Sequence, residues 1–161
     1  MLSIKFKGVL VVQSSIEIPA SLLNLDKTIL KAVEKSVEDC TADLFRVAQA
    51  RTPVDSTTLE KSGTSKVAKE GNAYVGRVSF KAMNKGFNYA KQMDKAKYKL
   101  GKKSLLKSSR GVRSKFSKQS FQVGSGYLTD TAEKCTQGYE EYVNYKIYEA
   151  IAKDGFKVFE K

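Results

Sequence analysis

Histidine is missing from all 161 residues of this chain. With it go the Ser-His-Asp and Cys-His catalytic arrangements, histidine-ligated metals and the commonest general base at neutral pH. Cysteine is scarce: Cys40 and Cys135 stand 95 positions apart, a poor beginning for a zinc site. Each falls at an apolar position of an expected helix, where a reduced, buried thiol is the commoner role. No GxxxxGK[ST] phosphate loop occurs, and Gly124-Ser125-Gly126 lacks the third glycine and the strand-turn-helix context of a dinucleotide fingerprint, so it reads as a turn leading into a helix. There is no run of eighteen apolar residues, which excludes a membrane-spanning helix. Residues 1–12 carry Lys5 and Lys7 but have neither a continuous apolar core nor a small-residue cleavage site, so no secretory leader is expected and the product should remain in the cytoplasm. No internal repeat is found.

What remains is ordinary globular material, with 41% hydrophobic and 29% charged residues, well away from the composition of a disordered chain. At this length roughly 70% of the unfolded chain's surface can be buried, enough for one core without disulfides or metals. A single domain over 1–161 is expected. The formal net charge is +12, and its location is informative. Residues 81–121 hold thirteen Lys/Arg against one acid, Asp94, while the other 120 residues hold sixteen of each sign. The whole imbalance belongs to one segment, which needs an acidic partner or must stay solvated.

Along the chain, the region 1–20 alternates apolar and basic residues from Ile4 to Val9 and suits a half-buried strand continuing through Val11-Val12, with Pro19 as its end. From 25 to 51, Leu30, Val33, Val37, Cys40, Leu44 and Val47 are spaced 3, 4, 3, 4, 3, one apolar stripe on a long amphipathic helix. Asn24 or Asp26 can cap it, Pro53 stops it, and the five acids and five bases on its other face read as a solvated surface. Strands are expected over 64–93: Lys66-Val67 and 74–80 around a Gly71-Asn72 turn, then a third over 87–93. The stretch 94–122 breaks every periodic pattern and reads as a long basic loop or arm. From 126 to 153, Leu128, Ala132, Cys135, Tyr139, Tyr142-Val143, Ile147 and Ala150-Ile151 mark a C-terminal helix, with Asp130 and Glu133 as a capping box and Gly155 as its end. The expected fold is α+β, a small antiparallel β-sheet packed by the two helices.

Directly after the first helix the chain reads Ala50-Arg51-Thr52-Pro53-Val54-Asp55-Ser56-Thr57-Thr58-Leu59-Glu60-Lys61-Ser62. This resembles the A-x-x-P-V-D-T-G-x-L-x-x-S signature of the head-tail joining, tail-completion and minor capsid proteins of tailed bacteriophages, with Ser56-Thr57 where that family has Thr-Gly. The run from Phe87 through Tyr89-Ala90 to Asp94 is similar to the family's Y-A-x-x-x-E strand, and Gly126-Tyr127-Leu128 to its phenylalanine-leucine approach to the last helix. The likeness spans most of 25–153. Physically the signature is scaffold: Pro53 ends the helix, Asp55 can accept backbone N–H groups in an Asx turn, and Leu59 returns an apolar side chain to the core.

The resemblance implies a structural virion protein of the neck, assembled in the host cytoplasm, without enzyme activity, cofactor or membrane. It would be a homo-oligomer ring with heterologous contacts, placed between portal or adaptor proteins on the head side and tail terminator or tail tube proteins below. The 94–122 arm, able to extend on the order of 90 Å, would reach a neighbour or DNA in the channel. Its contact candidates are Lys95, Lys97, Tyr98, Lys99, Lys102, Lys103, Lys107, Arg110, Arg113, Lys115, Phe116 and Lys118. The alternative is a basic nucleic-acid-binding module, with these cations on phosphates and Tyr98, Phe116 and Phe121 stacking on bases. An enzyme would have to bring Asp39, Asp43, Glu140 and Glu141 together.

Overall fold

The structure is a computed structural model and describes residues 12–17, 27–54, 57–71, 73–84 and 86–158. The strand expected at 4–9, the capping residues Asn24 and Asp26, and Asp55 and Asn72 lie outside them.

Helix α1 (Lys27–Arg51) turns its apolar stripe inward. The stripe begins on Ile29 and not Leu30, then follows Val33, Val37, Cys40, Leu44 and Val47, all buried. The helix ends two residues before Pro53, as a proline requires. A one-turn helix, α2 (Thr57–Lys61), follows and returns Leu59 to the core at 1% exposure.

The sheet has the order β1-β3-β2, antiparallel throughout, from β1 (Val12–Glu17), β2 (Gly63–Glu70) and β3 (Ala73–Phe80). β2 and β3 form a hairpin turned at Gly71, whose positive φ of 56° suits glycine. Val75, Val78 and Phe80 of the central strand are buried. At Gly76 a Cβ would collide with the side chain of Thr41 on α1, so the helix crosses the sheet at a distance only glycine permits.

The third strand of this sheet is therefore β1, and the strand expected over 87–93 is reduced to a two-residue stub. β4 (Met83–Asn84) pairs with β5 (Phe87–Asn88), and the chain then enters helix α3 (Tyr89–Lys95). The reason is local: the Asn88 side chain accepts a hydrogen bond from Lys91 N at 3.1 Å, and Ala90, Met93 and Asp94 share one buried helical face.

Helix α5 (Thr129–Val158) lies along α1 and buries Ala132, Cys135, Tyr139, Val143, Ile147 and Ala150. The capping box expected from Asp130 and Glu133 is replaced by a longer-range device. Asp94 on α3 accepts from Leu128 N (2.9 Å), Thr129 N (3.3 Å) and Thr129 Oγ1 (2.6 Å), while Asp130 binds Arg51 and Lys134. The carboxylate at this helix start satisfies orphan donors and the helix dipole together. The helix runs through Gly155, because an interior glycine costs about 1 kcal/mol relative to alanine without ending a helix.

The protein is thus an α+β domain, two long helices over a small antiparallel sheet. The long basic connection is present between α3 and α5, yet it lies against the domain instead of projecting from it. It carries α4 (Lys102–Ser108) and a small hairpin of β6 (Val112–Arg113) and β7 (Ser120–Phe121), with Ser104, Ser114 and Phe121 buried.

Candidate interaction surface

The basic connection has no apolar period of its own, and a few polar side chains of the helices hold it. Asp43, expected on a solvated face, is buried; its carboxylate accepts from Ser114 Oγ (2.6 Å), Lys115 N (3.1 Å), Tyr139 OH (3.2 Å) and Arg46 Nη2 (2.7 Å). Arg51, also buried, sits where α1 ends. Its guanidinium donates to Gln122 O (3.0 Å), Gly126 O (3.1 Å), Thr131 Oγ1 (2.7 Å) and Asp130 Oδ2 (2.9 Å), and lies 4.8 Å from the centre of the Phe121 ring. A five-donor planar fork suits this task, which one ammonium could not perform.

Lys107 donates to the carbonyls of Gln49 and Thr52 and to Glu60, each at 3.1 Å, and so satisfies the C-terminal end of α1. Val54 N donates to the buried Ser104 hydroxyl at 2.9 Å. The hairpin rests directly on α5 at Gly138, where a Cβ would strike the backbone of Ser117. Beside it, Ser117 Oγ donates to Cys135 Sγ at 3.0 Å.

These clamps sort the candidate residues into two groups. Lys95, Lys97, Lys99, Lys102, Lys103, Arg110, Arg113, Lys115 and Lys118 are exposed, carried by α3, the extended stretch after it, α4 and the hairpin. Tyr98, Lys107 and Phe116 turn toward the domain. Tyr98 and Phe116 pack on the core, and Phe116 stacks on Tyr142 with ring centres 4.0 Å apart. Phe121 is 6% exposed. All three aromatics on which base stacking would depend are thus committed to folding. Lys107 with Glu60 is the one ion pair made by a cation of this segment among the described residues. Its single acid, Asp94, is buried at the start of α5, so the outer surface of the segment presents cations without intervening carboxylates.

A set of large apolar side chains is exposed. In the basic segment they are Met83, Phe87, Leu105 and Leu106; on α5 they are Tyr145, Tyr148 and Ile151. A shallow groove of about 450 Å³, with mostly apolar walls, lies on the outer face of α3 between Phe87, Asn88, Lys91, Gln92, Lys95 and Ala96. On α5 the signal was available, since Tyr145 and Tyr148 fall outside the inward set 139, 143, 147, 150.

Of the acids named for an enzyme, Glu141 accepts from Gln137 Nε2 at 3.1 Å. Asp39 accepts from Tyr142 OH at 2.9 Å, and Asp43 is occupied as described. Among the described residues no group of three Cys, Asp or Glu is placed to hold a metal, and no helix is long and apolar enough to cross a membrane. Burial pushes the thiols of Cys40 and Cys135 upward in pKa, so both stay protonated near neutral pH. Comparison with known protein families, curated proteins and solved structures gives no match to this chain.

Proposed function

We propose that this protein is a non-enzymatic structural subunit of a tailed-phage neck, a ring component that joins the DNA-filled head to the tail. The observation that carries the reading is the 50–62 junction. A long helix ends before Pro53, Leu59 returns to the core, and Arg51 within the same stretch ties α1 to the turn preceding α5. The stretch that resembles the phage signature coincides with the joint that sets the two long helices on each other. The folded basic connection removes the idea of an extended arm, so contacts with neighbours fall to the rigid surface. Virions made without this protein should accumulate as separate heads and tails in electron micrographs, and normal joined particles would sink the reading.

The exposed cations favour a second reading, nucleic-acid binding through phosphate contacts alone. Base stacking is not available to it from Tyr98, Phe116 or Phe121. Affinity for duplex DNA would then fall with salt by about 0.9 log unit per log unit for each phosphate neutralised. Tight binding by the isolated protein, with a slope reflecting many phosphates, would favour this reading over the neck subunit.

A further inference from the structure

Helix α4 turns two adjacent leucines to solvent, Leu105 at 55% exposure and Leu106 at 72%. Its inner side is fixed to the domain. The buried Ser104 hydroxyl accepts from Val54 N, and Lys107 reaches the carbonyls of Gln49 and Thr52 at the end of α1. At about 100° per residue, Ser104 and Lys107 define the inward face, and the opposite face is centred on Lys102 with Leu105 and Leu106 on either side of it. Lys103 and Arg110 border that face. All three cations are exposed, and none has an ion-pair partner among the described residues. From 95 to 121 the sequence contains no acid at all.

The cations alone would suit any polyanion, and the leucines narrow the choice. Phosphate contacts along a nucleic acid would engage the cations and leave both leucines in water. A protein partner fits this composition poorly, because lysine is depleted from protein interfaces and leucine is under-represented among their hot spots. An anionic bilayer surface satisfies both residue types together. Leucines enter the boundary between headgroups and acyl chains, while ammonium and guanidinium groups stay among the phosphates. A helix of seven residues can lie on such a surface without crossing it.

We propose that α4 is a membrane-surface contact, with Leu105 and Leu106 entering the headgroup boundary of an anionic bilayer and Lys102, Lys103 and Arg110 binding lipid phosphates. The contact goes beyond the neck reading and does not depend on it. Each cation held at the surface is worth about fivefold in partitioning, so the attachment is reversible and sensitive to salt.

Co-sedimentation of the full chain with vesicles tests this, using phosphatidylglycerol mixed into phosphatidylcholine, pure phosphatidylcholine, and duplex DNA as the comparison probe. The wild type should bind the anionic vesicles at least about tenfold more tightly than the neutral ones and be released by salt. The L105S/L106S variant should lose at least about tenfold in vesicle binding and match the wild type toward DNA. The K102E/K103E variant should lose at least about tenfold toward the anionic vesicles. All four side chains are exposed, and circular dichroism confirms that each variant still folds. A wild type that ignores anionic vesicles overturns the proposal, as does a K102E/K103E variant that binds them undiminished. A L105S/L106S variant that binds vesicles like the wild type also overturns it, and marks a phosphate-only surface of the kind nucleic-acid binding requires.

Discussion

The helix pair α1–α5 and the basic connection between α3 and α5 are held by different physics. The pair rests on two apolar stripes, each buried side chain contributing on the order of 1.5–3 kcal/mol through removal from water. The connection buries Phe121 and packs Tyr98 and Phe116, but it is pinned by Asp43 and Arg51, which bind its backbone and hydroxyl groups, and by its own Lys107, which binds carbonyls at the end of α1. Apolar burial is non-directional and tolerates adjustment, whereas a buried charge is sustained only while its partners remain in place. The first arrangement should fail globally when damaged, and the second locally.

The largest effect is expected at Arg51, which belongs to both. Arg51→Met should cost about 4 kcal/mol, because the carbonyls of Gln122 and Gly126 and the buried Thr131 hydroxyl lose a donor and Asp130 keeps only Lys134; a denaturant melt measures it. Leu44→Ala should cost about 3 kcal/mol through lost burial and a cavity, with hydrogen exchange accelerated evenly over both long helices. Asp43→Ala should cost about 2 kcal/mol, leaving Ser114, Lys115 N and Tyr139 with fewer partners. Its exchange signature should differ, with amides of 112–121 opening well before those of α1. Equal protection across both regions in this variant would erase the distinction.

Acid supplies a smaller effect. Burial raises the Asp130 pKa, but hydrogen bonds from Lys134 and Arg51 outweigh it and hold the carboxyl below its ordinary value of 3.8. A group depressed in this way contributes stability that is present above the ordinary value and lost as pH falls through the folded-state value. Asp130→Asn should therefore flatten the acid limb of a stability-pH curve by less than about 1 kcal/mol, the site being partly open to solvent. The smallest effect is expected from Lys99→Glu or Lys102→Glu, within about 0.5 kcal/mol of the parent, because both side chains are exposed and bear no fold contact among the described residues.

The same contrast explains what could be read from residues alone. The stripe Val33, Val37, Cys40, Leu44, Val47 is a period, and a period needs no knowledge of the rest of the chain. The central hairpin announced itself through Gly71 for a similar reason. Asp43 and Arg51 occupy positions on α1 like any solvated charge, and only the fold reveals that Ser114 and Gln122 arrive beside them. Asp94 was equally opaque: a cap supplied from another element leaves no mark near the helix it caps. At 87–95 the Asn88 cap was overlooked, so a short helix was read as a strand. The groove and the exposed tyrosines were missed because a surface becomes visible only once the core has taken its share of side chains.

The position of β1 has a temporal consequence. β2 and β3 are joined by a tight turn and can zip together at once, whereas β1 must pair with β3 across most of the first half of the chain, Val12 opposite Phe80. Loop closure over such a span is slow compared with hairpin formation. Once β3 has emerged and zipped onto β2, its other edge stays open until β1 docks, so sheet completion is a late event and the open edge is the point most prone to mispairing.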